Sequence, residues 1–295
     1  MQLGLIQQPG VAIRRVHALV NPASGGVGPR VADELAELFA AFGLSHRVSA
    51  LLPGHFKRTA RAAVDSGPDL IVVLGGDGTA RLVAELCGPQ GPLLAPLCGG
   101  TMNKLGRALY GAKPWREALT DALMGGVAQW MPGGEVDGHA FYCSAVLGSP
   151  ALWGRAREAI RMRELRRAWR RAVVASRKAF QGRLHYRCGG DVGRGLAIRF
   201  ICPTVSDAPV GDAAVMEAAV LDPSGPRAGA RLALNNLLGD WRHDPDVTVR
   251  ACANGQVWAR EPIPALLDGE YFRLARQVEA RFHPHAFRAL APALG

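Results

Sequence analysis

A short apolar run that ends in a glycine-rich turn constrains the fold of this chain more than any other feature. Residues 69–74 read Asp-Leu-Ile-Val-Val-Leu, and Gly75-Gly76-Asp77-Gly78-Thr79 follows at once. The β-branched run is typical of a buried parallel strand, and the pattern from Thr79 to Leu86 indicates a helix. Glycines allow a ligand close to the backbone, and the N–H groups that begin a helix can bind phosphate oxygens. The junction therefore predicts a phosphate-binding turn, the alternative being a tight turn capped by Asp77 and Thr79.

Two further junctions repeat this arrangement. Asn21-Pro22-Ala23-Ser24-Gly25-Gly26 follows the strand-like residues 16–20, and Gly99-Gly100-Thr101-Met102-Asn103 follows residues 93–97. Parallel α/β sheets bind ligands at the carboxyl ends of their strands, so the three loops should meet at one edge. Together they predict one shared phosphate site rather than three unrelated turns.

The side chains of these loops suit phosphate chemistry. The hydroxyls of Ser24, Thr79 and Thr101 can donate to phosphate oxygens, and the Thr79 hydroxyl can also cap the helix that follows. Asp77 supplies a carboxylate that could hold a metal ion or accept the proton of a substrate hydroxyl.

The pattern of the chain changes near residue 127. Before this point strands alternate with helices: strands near 15–20, 46–51, 69–74 and 93–97, and helices near 30–42, 56–65, 79–87, 102–109 and 115–124. Beyond Gly125-Gly126 the strands are short and alternating, near 141–147, 196–202, 247–252, 256–258 and 278–282. A chain of 295 residues is long enough for two such domains. We expect an α/β domain followed by a β-rich one.

Six cysteines, at positions 87, 98, 143, 188, 202 and 252, form no C-x-x-C pair. We interpret them as reduced thiols buried in a cytosolic protein. The N-terminal residues lack the pattern of a signal peptide, and no apolar run approaches the ~18–20 residues of a membrane-spanning helix. We therefore expect a cytoplasmic protein that is soluble or attached to a membrane surface.

The positive charge is concentrated in one stretch. The chain carries 35 basic and 25 acidic residues, an excess of 10. Residues 153–187 contain twelve Arg or Lys and two Glu, so this stretch alone accounts for the excess. Helical spacing would place Trp169 on an apolar face and Arg163, Arg166, Arg167 and Arg170 on another. Such a helix suits an anionic bilayer surface. The alternatives are a packed helix with a solvated face or, less in keeping with the few aromatics, a nucleic-acid site.

The loops taken together resemble the diacylglycerol kinase catalytic domain family, which includes bacterial soluble lipid kinases and sphingosine kinases. The resemblance lies in Asn-Pro-x-Ser-Gly at 21–25, Gly-Gly-Asp-Gly-Thr at 75–79, Gly-Gly-Thr-x-Asn at 99–103, and Asp268-Gly269-Glu270. It implies an α/β domain with a parallel sheet, a C-terminal β-rich, sandwich-like domain, and a nucleotide site in the cleft between them. The corresponding bounds are 1–127 with 283–295 for the first domain and 128–282 for the second, with a basic helical insertion at about 153–180.

The resemblance also implies roles for individual residues. The expected catalytic residues are Glu270 as the general base, Asp77 as the second choice and Asp268 in support. Asp77 would also hold the catalytic Mg²⁺. The expected nucleotide-binding residues are Asn21, Pro22, Ser24, Gly25, Gly75, Gly76, Asp77, Gly78, Thr79, Gly100, Thr101 and Asn103. By itself, Asp268-Gly269-Glu270 would be read as a turn between two strands.

This chain departs from the family pattern at several positions. Arg81 stands where an Asn is common, Lys104 replaces an acid, and Ala50 replaces a threonine. Bacterial members hold a structural Mg²⁺ with an Asp-Gly-x-Leu-Asp stretch, whereas residues 211–217 here read Gly-Asp-Ala-Ala-Val-Met-Glu. That metal site therefore looks degraded, although Asp212 could be a remnant.

The sequence thus predicts an ATP- and Mg²⁺-dependent lipid kinase that phosphorylates diacylglycerol or a related lipid. The expected partners are ATP, the lipid and an anionic membrane surface, without nucleic acid, and a homodimer stays open. One alternative is a phosphotransferase like the NAD kinases, which share Gly-Gly-Asp-Gly. The other is a catalytically weak protein that binds nucleotide or lipid.

Overall fold

The computed structural model describes residues 7–8, 12–152, 182–205, 215–225, 227–229, 231–232, 235 and 241–292. The chain forms two compact units. Unit 1 comprises Met1–Gly133 with Pro284–Gly295, and unit 2 comprises Gly134–His283.

Strands and helices alternate along unit 1. Its strands are β1 (Gln7–Gln8), β2 (Arg15–Val20), β3 (Ser45–Ala50), β4 (Leu70–Gly75), β5 (Leu93–Cys98) and β6 (Val127–Val136), which continues into unit 2. Its helices are α1 (Val31–Ala41), α2 (Phe56–Asp65), α3 (Asp77–Cys87), α4 (Lys104–Tyr110) and α5 (Trp115–Gly125).

The described part of unit 2 consists mainly of strands, and residues 227–229, 231–232 and 235 are helical. The strands are β7 (His139–Phe141), β8 (Ser144–Gly148), β9 (Leu184–Cys188), β10 (Asp191–Gly195), β11 (Ala197–Ile201), β12 (Met216–Leu221), β13 (Val247–Cys252), β14 (Asn254–Trp258), β15 (Ile263–Leu267), β16 (Glu270–Leu274) and β17 (Gln277–Ala291). Single turns of 3-10 helix lie at Ser149–Ala151, Pro203–Val205 and Trp241–His243.

The sheet of unit 1 has a parallel core in the order β5-β4-β2-β3. Every residue of β4 is buried, as expected for a strand covered on both faces. Side chains from α1, such as Leu35 and Phe39, pack in one hydrophobic cluster with Val72 and Leu74. Because the four strands are parallel, their carboxyl ends, with the loops that follow, lie at one edge.

The strands of unit 2 are antiparallel. Six of them form a sheet in the order β13-β12-β11-β8-β15-β16. β10, β9, β14 and the first part of β17 pair in that order in the other sheet of the chain, the one that also contains β5-β4-β2-β3. Alternate residues of both sheets, such as Phe200 and Val257, share one hydrophobic cluster. This is the sandwich-like arrangement expected for the second domain.

The end of the described chain completes unit 1. The last part of β17 pairs in parallel with β5, with Ala289 opposite Leu94. The buried Tyr110 hydroxyl donates to the Leu290 carbonyl over 2.6 Å, and Arg288 donates to the carbonyl of Gly91 over 3.0 Å. Residues almost 200 positions apart in sequence therefore stabilise the same unit.

The interpretation of all six cysteines as reduced thiols was wrong. Cys188 and Cys252 form a disulfide, with 5.8 Å between their Cα atoms. The pairing of β9 with β14 sets Gly255 opposite Cys188, and Cys252 lies at the end of β13, just before β14. The two residues are 64 positions apart, so their proximity depends on strand pairing that sequence spacing does not reveal. The free cysteines are Cys87, Cys98, Cys143 and Cys202.

Within the described residues, none of the helices combines the length and the hydropathy that crossing a bilayer requires.

Candidate functional site

The three loops after β2, β4 and β5 are joined by backbone hydrogen bonds. The Asn21 N–H donates to the Leu74 carbonyl over 2.9 Å. The Gly26 N–H donates to the Gly99 carbonyl over 3.0 Å, and the Gly99 N–H donates to the Gly75 carbonyl over 3.0 Å. Residues 21–26, 75–79 and 99–103 therefore form one continuous structure, which we call the three-loop cluster. It contains every residue of unit 1 that the sequence predicted to bind nucleotide.

Glycine is required where two of these loops meet. A Cβ atom on Gly100 would lie 2.6 Å from the Cα of Gly76, which is backbone and cannot move away alone. A Cβ on Gly75 would lie 2.9 Å from the Thr79 side chain. In contrast, a Cβ on Gly25 would have nothing within 4 Å. Gly100 thus permits contact between two loops, Gly75 makes room for the Thr79 side chain within its own loop, and Gly25 has open space around it.

Helix α3 begins at Asp77 rather than at Thr79, and Gly76 precedes it without a side-chain cap. The expectation that Thr79 caps this helix was therefore wrong. Thr79 already lies in the first turn, and its buried hydroxyl accepts a hydrogen bond from the Asn21 side-chain amide over 3.1 Å. The first N–H groups of a helix lack partners within the helix, and its dipole favours negative charge there. This helix end is therefore suited to bind an anion.

Asn103 organises the third loop. It has a left-handed backbone, with φ of 51°, directly before α4. Its side chain accepts the Gly100 N–H and donates to the Gly100 carbonyl, each over 2.7 Å. The Gly100 amide is thus engaged inside the protein. The hydrogen bonds of Asn103 thus stabilise the third loop. The sequence pattern alone could not show whether these residues stabilise the loop or bind phosphate.

Asp77 is half-buried at the start of α3. Its Oδ1 accepts the Leu105 N–H at 3.4 Å, a long contact that links α3 to α4. Burial raises the pKa of the neighbouring Cys98 thiol, an effect that Arg107 opposes and the Asp77 charge reinforces. Cys98 is therefore a poor nucleophile, whereas Asp77 places a half-buried carboxylate at the same edge.

Two of the departures from the family pattern lie beside the cluster. The Arg81 side chain, only 9% exposed, forms an ion pair with Glu85 at 3.2 Å one turn along α3. Lys104 is the first residue of α4 and is half-buried. Ala50 ends β3 and is exposed. The structure thus retains the cluster despite these changes.

Asp268 and Gly269 form the turn that joins β15 to β16, with φ of 48° and 89°. Two successive positive φ values in a two-residue connection are typical of a type I′ hairpin, which Asp-Gly favours. The Asp268 carboxylate accepts the N–H groups of Tyr142, Cys143 and Ser144 over 2.7, 2.9 and 2.8 Å. It therefore holds the backbone that precedes β8.

Glu270 begins β16 and is exposed, with Leu267 opposite it across the hairpin. It lies in unit 2, whereas Asp77 lies in unit 1. A second turn of the same kind, Asp137-Gly138, also has positive φ values, and the Asp137 carboxylate accepts the Ala275 N–H over 2.9 Å. Sequence reading did not single out this second turn, although the Asp-Gly pair was visible.

Some predicted features lie outside the described residues. These are the basic stretch with Arg163, Arg166, Arg167, Trp169 and Arg170, and the first part of the degraded metal region, including Asp212. Glu217, at the end of that region, is described and buried, and its carboxylate pairs with Arg242 at 3.0 and 3.1 Å. Across the described part of the chain, no three His, Cys, Asp or Glu side chains are grouped as metal ligands.

The fold and the three-loop cluster define a class: two-domain proteins in which an α/β unit, with glycine-rich loops at the carboxyl edge of its parallel sheet, is combined with a β-rich unit. More particularly, residues 15–133 match the diacylglycerol kinase catalytic domain family. The resemblance inferred from the sequence is therefore confirmed for this part of the chain.

Solved structures share the whole fold. A diacylglycerol kinase of Bacillus anthracis strain Sterne superimposes with a TM-score of 0.67 at 14% identity, covering 96% of this chain and 99% of that one. An NAD kinase of Archaeoglobus fulgidus, solved in complex with ATP, gives a TM-score of 0.54 at 12% identity, covering 94% of each chain. At these identities the likeness establishes the fold, an α/β unit with a parallel sheet and a β-rich unit.

One curated relative is more similar in sequence but over a shorter span. An NAD kinase of Geotalea daltonii is 32% identical over an alignment of 133 positions that covers 41% of this chain and 47% of that protein. The chain thus spans about half the length of the curated relative that it matches. The family match and this relative agree on a phosphotransferase of the kinase type and differ in the acceptor.

Proposed function

We propose that this protein transfers the γ-phosphate of ATP to a hydroxyl of diacylglycerol or a related lipid. The observation that carries this proposal is the three-loop cluster. Three loops of the predicted pattern meet at the carboxyl edge of a parallel sheet, around a helix that begins with Asp77 and has no side-chain cap.

The phosphates of ATP fit the start of α3. Its N–H groups and dipole attract negative charge, and the hydroxyls of Ser24, Thr79 and Thr101 lie on the three loops of the same cluster. Phosphoryl transfer depends mainly on positioning and charge stabilisation, which such an edge can supply. The ATP complex of the Archaeoglobus fulgidus NAD kinase, which has the same fold, supports ATP as the donor.

Magnesium would be held by Asp77 together with phosphate oxygens. Mg²⁺ in such sites is bound through one or two carboxylates plus phosphates rather than by a cage of protein ligands, and Asp77 is a half-buried carboxylate beside the anion-binding helix end. When bound, the ion would neutralise charge that develops during transfer.

Glu270 is the first candidate for the general base, and Asp77 is the second. The Glu270 side chain is exposed, so a substrate could approach it. The Asp268 carboxylate accepts three backbone N–H groups. Asp268 thus supports the site by fixing the turn that leads to Glu270.

An NAD kinase-like activity is the second candidate, favoured by the Geotalea daltonii relative at 32% identity. A catalytically weak binding protein is the third, because Arg81 and Lys104 alter the charge beside the cluster. The lipid is preferred because Asn-Pro-x-Ser-Gly and Asp-Gly-Glu resemble the lipid kinases more closely.

The same proposal includes attachment to an anionic membrane through the basic stretch, and a cytoplasmic location. Whether the protein forms a homodimer stays open.

A transfer assay decides between these acceptors. Radiolabelled ATP with Mg²⁺ is incubated with the protein and with diacylglycerol, sphingosine, monoacylglycerol or NAD, and the labelled products are separated. The proposal predicts label in a lipid product and none in NADP. Label in NADP alone would replace the lipid by NAD as the acceptor, and no transfer to any acceptor, with ATP still bound, would favour the weak binding protein.

A further inference from the structure

Asn21 links the first loop of the three-loop cluster to β4 and to the start of α3. Its backbone N–H donates to the Leu74 carbonyl over 2.9 Å, and its own carbonyl accepts the Ser24 N–H over 3.0 Å. Its side-chain Oδ1 accepts the Ala23 N–H over 3.1 Å, and its Nδ2 donates to the Thr79 hydroxyl over 3.1 Å. Each polar group of Asn21 therefore has a protein partner already.

The orientation of this amide is fixed by chemistry. The Ala23 N–H can only donate, so the atom that faces it must be the amide oxygen. The Nδ2 group consequently faces Thr79, and because an amide nitrogen can only donate, the Thr79 hydroxyl must accept.

A hydroxyl that accepts in this way keeps its own proton for another acceptor. Thr79 is 5% exposed, and Asn21 is its one side-chain hydrogen-bond partner among the described residues. Thr79 lies in the first turn of α3, whose start has no side-chain cap. A buried hydroxyl usually uses its proton, and an anion at this helix end would accept it.

We propose that Asn21 is a positioning residue that fixes the Thr79 hydroxyl as a donor toward a phosphate group of ATP. This inference rests on the proposed function, because it assumes that ATP binds at the start of α3. It changes the role expected from the sequence: Asn21 acts through Thr79 and does not itself contact the nucleotide.

A double-mutant cycle on ATP binding tests the proposal. The Kd of Mg²⁺-ATP is measured by titration calorimetry for the wild type, Asn21→Ala, Thr79→Ala and the double variant. Loss of a hydrogen bond to a charged group weakens binding by roughly tenfold or more. We expect about this loss for Thr79→Ala, and a loss of several-fold for Asn21→Ala. In the Thr79→Ala background, the Asn21 substitution should add less than about twofold, because its effect passes through a hydroxyl that is already gone.

Asn21→Ser separates positioning from loop bracing. A serine hydroxyl can still accept the Ala23 N–H but is too short to reach Thr79, so this variant should retain the fold and bind ATP as weakly as Asn21→Ala. Thr79→Ser keeps the hydroxyl and should bind ATP within about twofold of the wild type.

The possible failures are distinguishable. If the wild type binds ATP but the losses of the two single variants multiply in the double variant, Asn21 acts independently of Thr79 and the inference is overturned. Wild-type binding by Asn21→Ser would likewise show that only the loop turn matters. If the wild type does not bind Mg²⁺-ATP, the proposed function fails together with the inference.

Discussion

At the scale of single residues, the carboxylate of Asp268 shows how one side chain can serve a site without reacting. It accepts three backbone N–H groups from residues more than 120 positions earlier in the chain. An ionised carboxylate only accepts hydrogen bonds, and its two oxygens offer enough lone pairs for all three N–H groups. Asp268 therefore ties the backbone before β8 to the turn before Glu270, and its contribution should appear in stability.

Asp268→Asn should destabilise the protein because one amide NH₂ would face a backbone N–H that it cannot accept. We expect the free energy of unfolding to fall by about 2–3 kcal/mol, since unsatisfied buried donors cost about 1–3 kcal/mol each. Asp137→Asn is the matched control, because Asp137 occupies the same kind of turn but, among the described residues, its carboxylate accepts only the Ala275 N–H. It should lose about 1 kcal/mol or less. Urea unfolding measures both, and equal losses would show that the three bonds of Asp268 do not act together.

At the scale of secondary-structure elements, the three-loop cluster depends on backbone contact between the turns after β4 and β5. Gly99 donates to Gly75, and Gly100 lies where any side chain would meet Gly76. The glycines that allow this contact are separated by about 25 positions in sequence, yet they belong to adjacent parallel strands. The position of α3 relative to α4 is therefore set by these turns.

Gly100→Ala should distort the cluster, because its Cβ would lie 2.6 Å from the Gly76 Cα. We expect a loss of about 1–3 kcal/mol in unfolding free energy, the usual cost of overpacking, together with weaker ATP binding. Gly25→Ala belongs to the same cluster but has open space around its Cβ, so its unfolding free energy should change by less than about 0.5 kcal/mol. Thermal melting of the two variants provides the comparison. A Gly100→Ala protein as stable as Gly25→Ala would show that the loops are not in contact.

Periodicity predicted these elements of unit 1 well, because buried strands and amphipathic helices have a strong local pattern. The helix predicted at 56–65 is α2, and the strand predicted at 15–20 is β2. The missed features lack such a pattern. Two of them, the Asn21–Thr79 hydrogen bond and the Cys188–Cys252 disulfide, join residues that are far apart in sequence. The third is the left-handed backbone of Asn103, which hydrophobic periodicity does not indicate.

At the scale of the whole molecule, the chain leaves unit 1 near Gly133 and returns to it at Pro284. The predicted fold class, an α/β unit with a parallel sheet and a β-rich unit, is confirmed. The residues predicted for catalysis are divided between the units, with Asp77 in one and Asp268 and Glu270 in the other. Their cooperation in one site stays a prediction, as does membrane attachment through the basic stretch.

The central claim is that the start of α3, with Asp77, supports phosphoryl transfer from ATP. The measurement that tests it most directly is the rate of γ-phosphate transfer by the wild type and by Asp77→Asn, with the melting temperature of both. The substitution removes a charge and nearly keeps the side-chain shape, and a general base or metal anchor contributes about 10²-fold or more. We therefore expect transfer to fall about a hundredfold while the melting temperature is retained. A variant that keeps more than about a tenth of the wild-type rate would contradict this account.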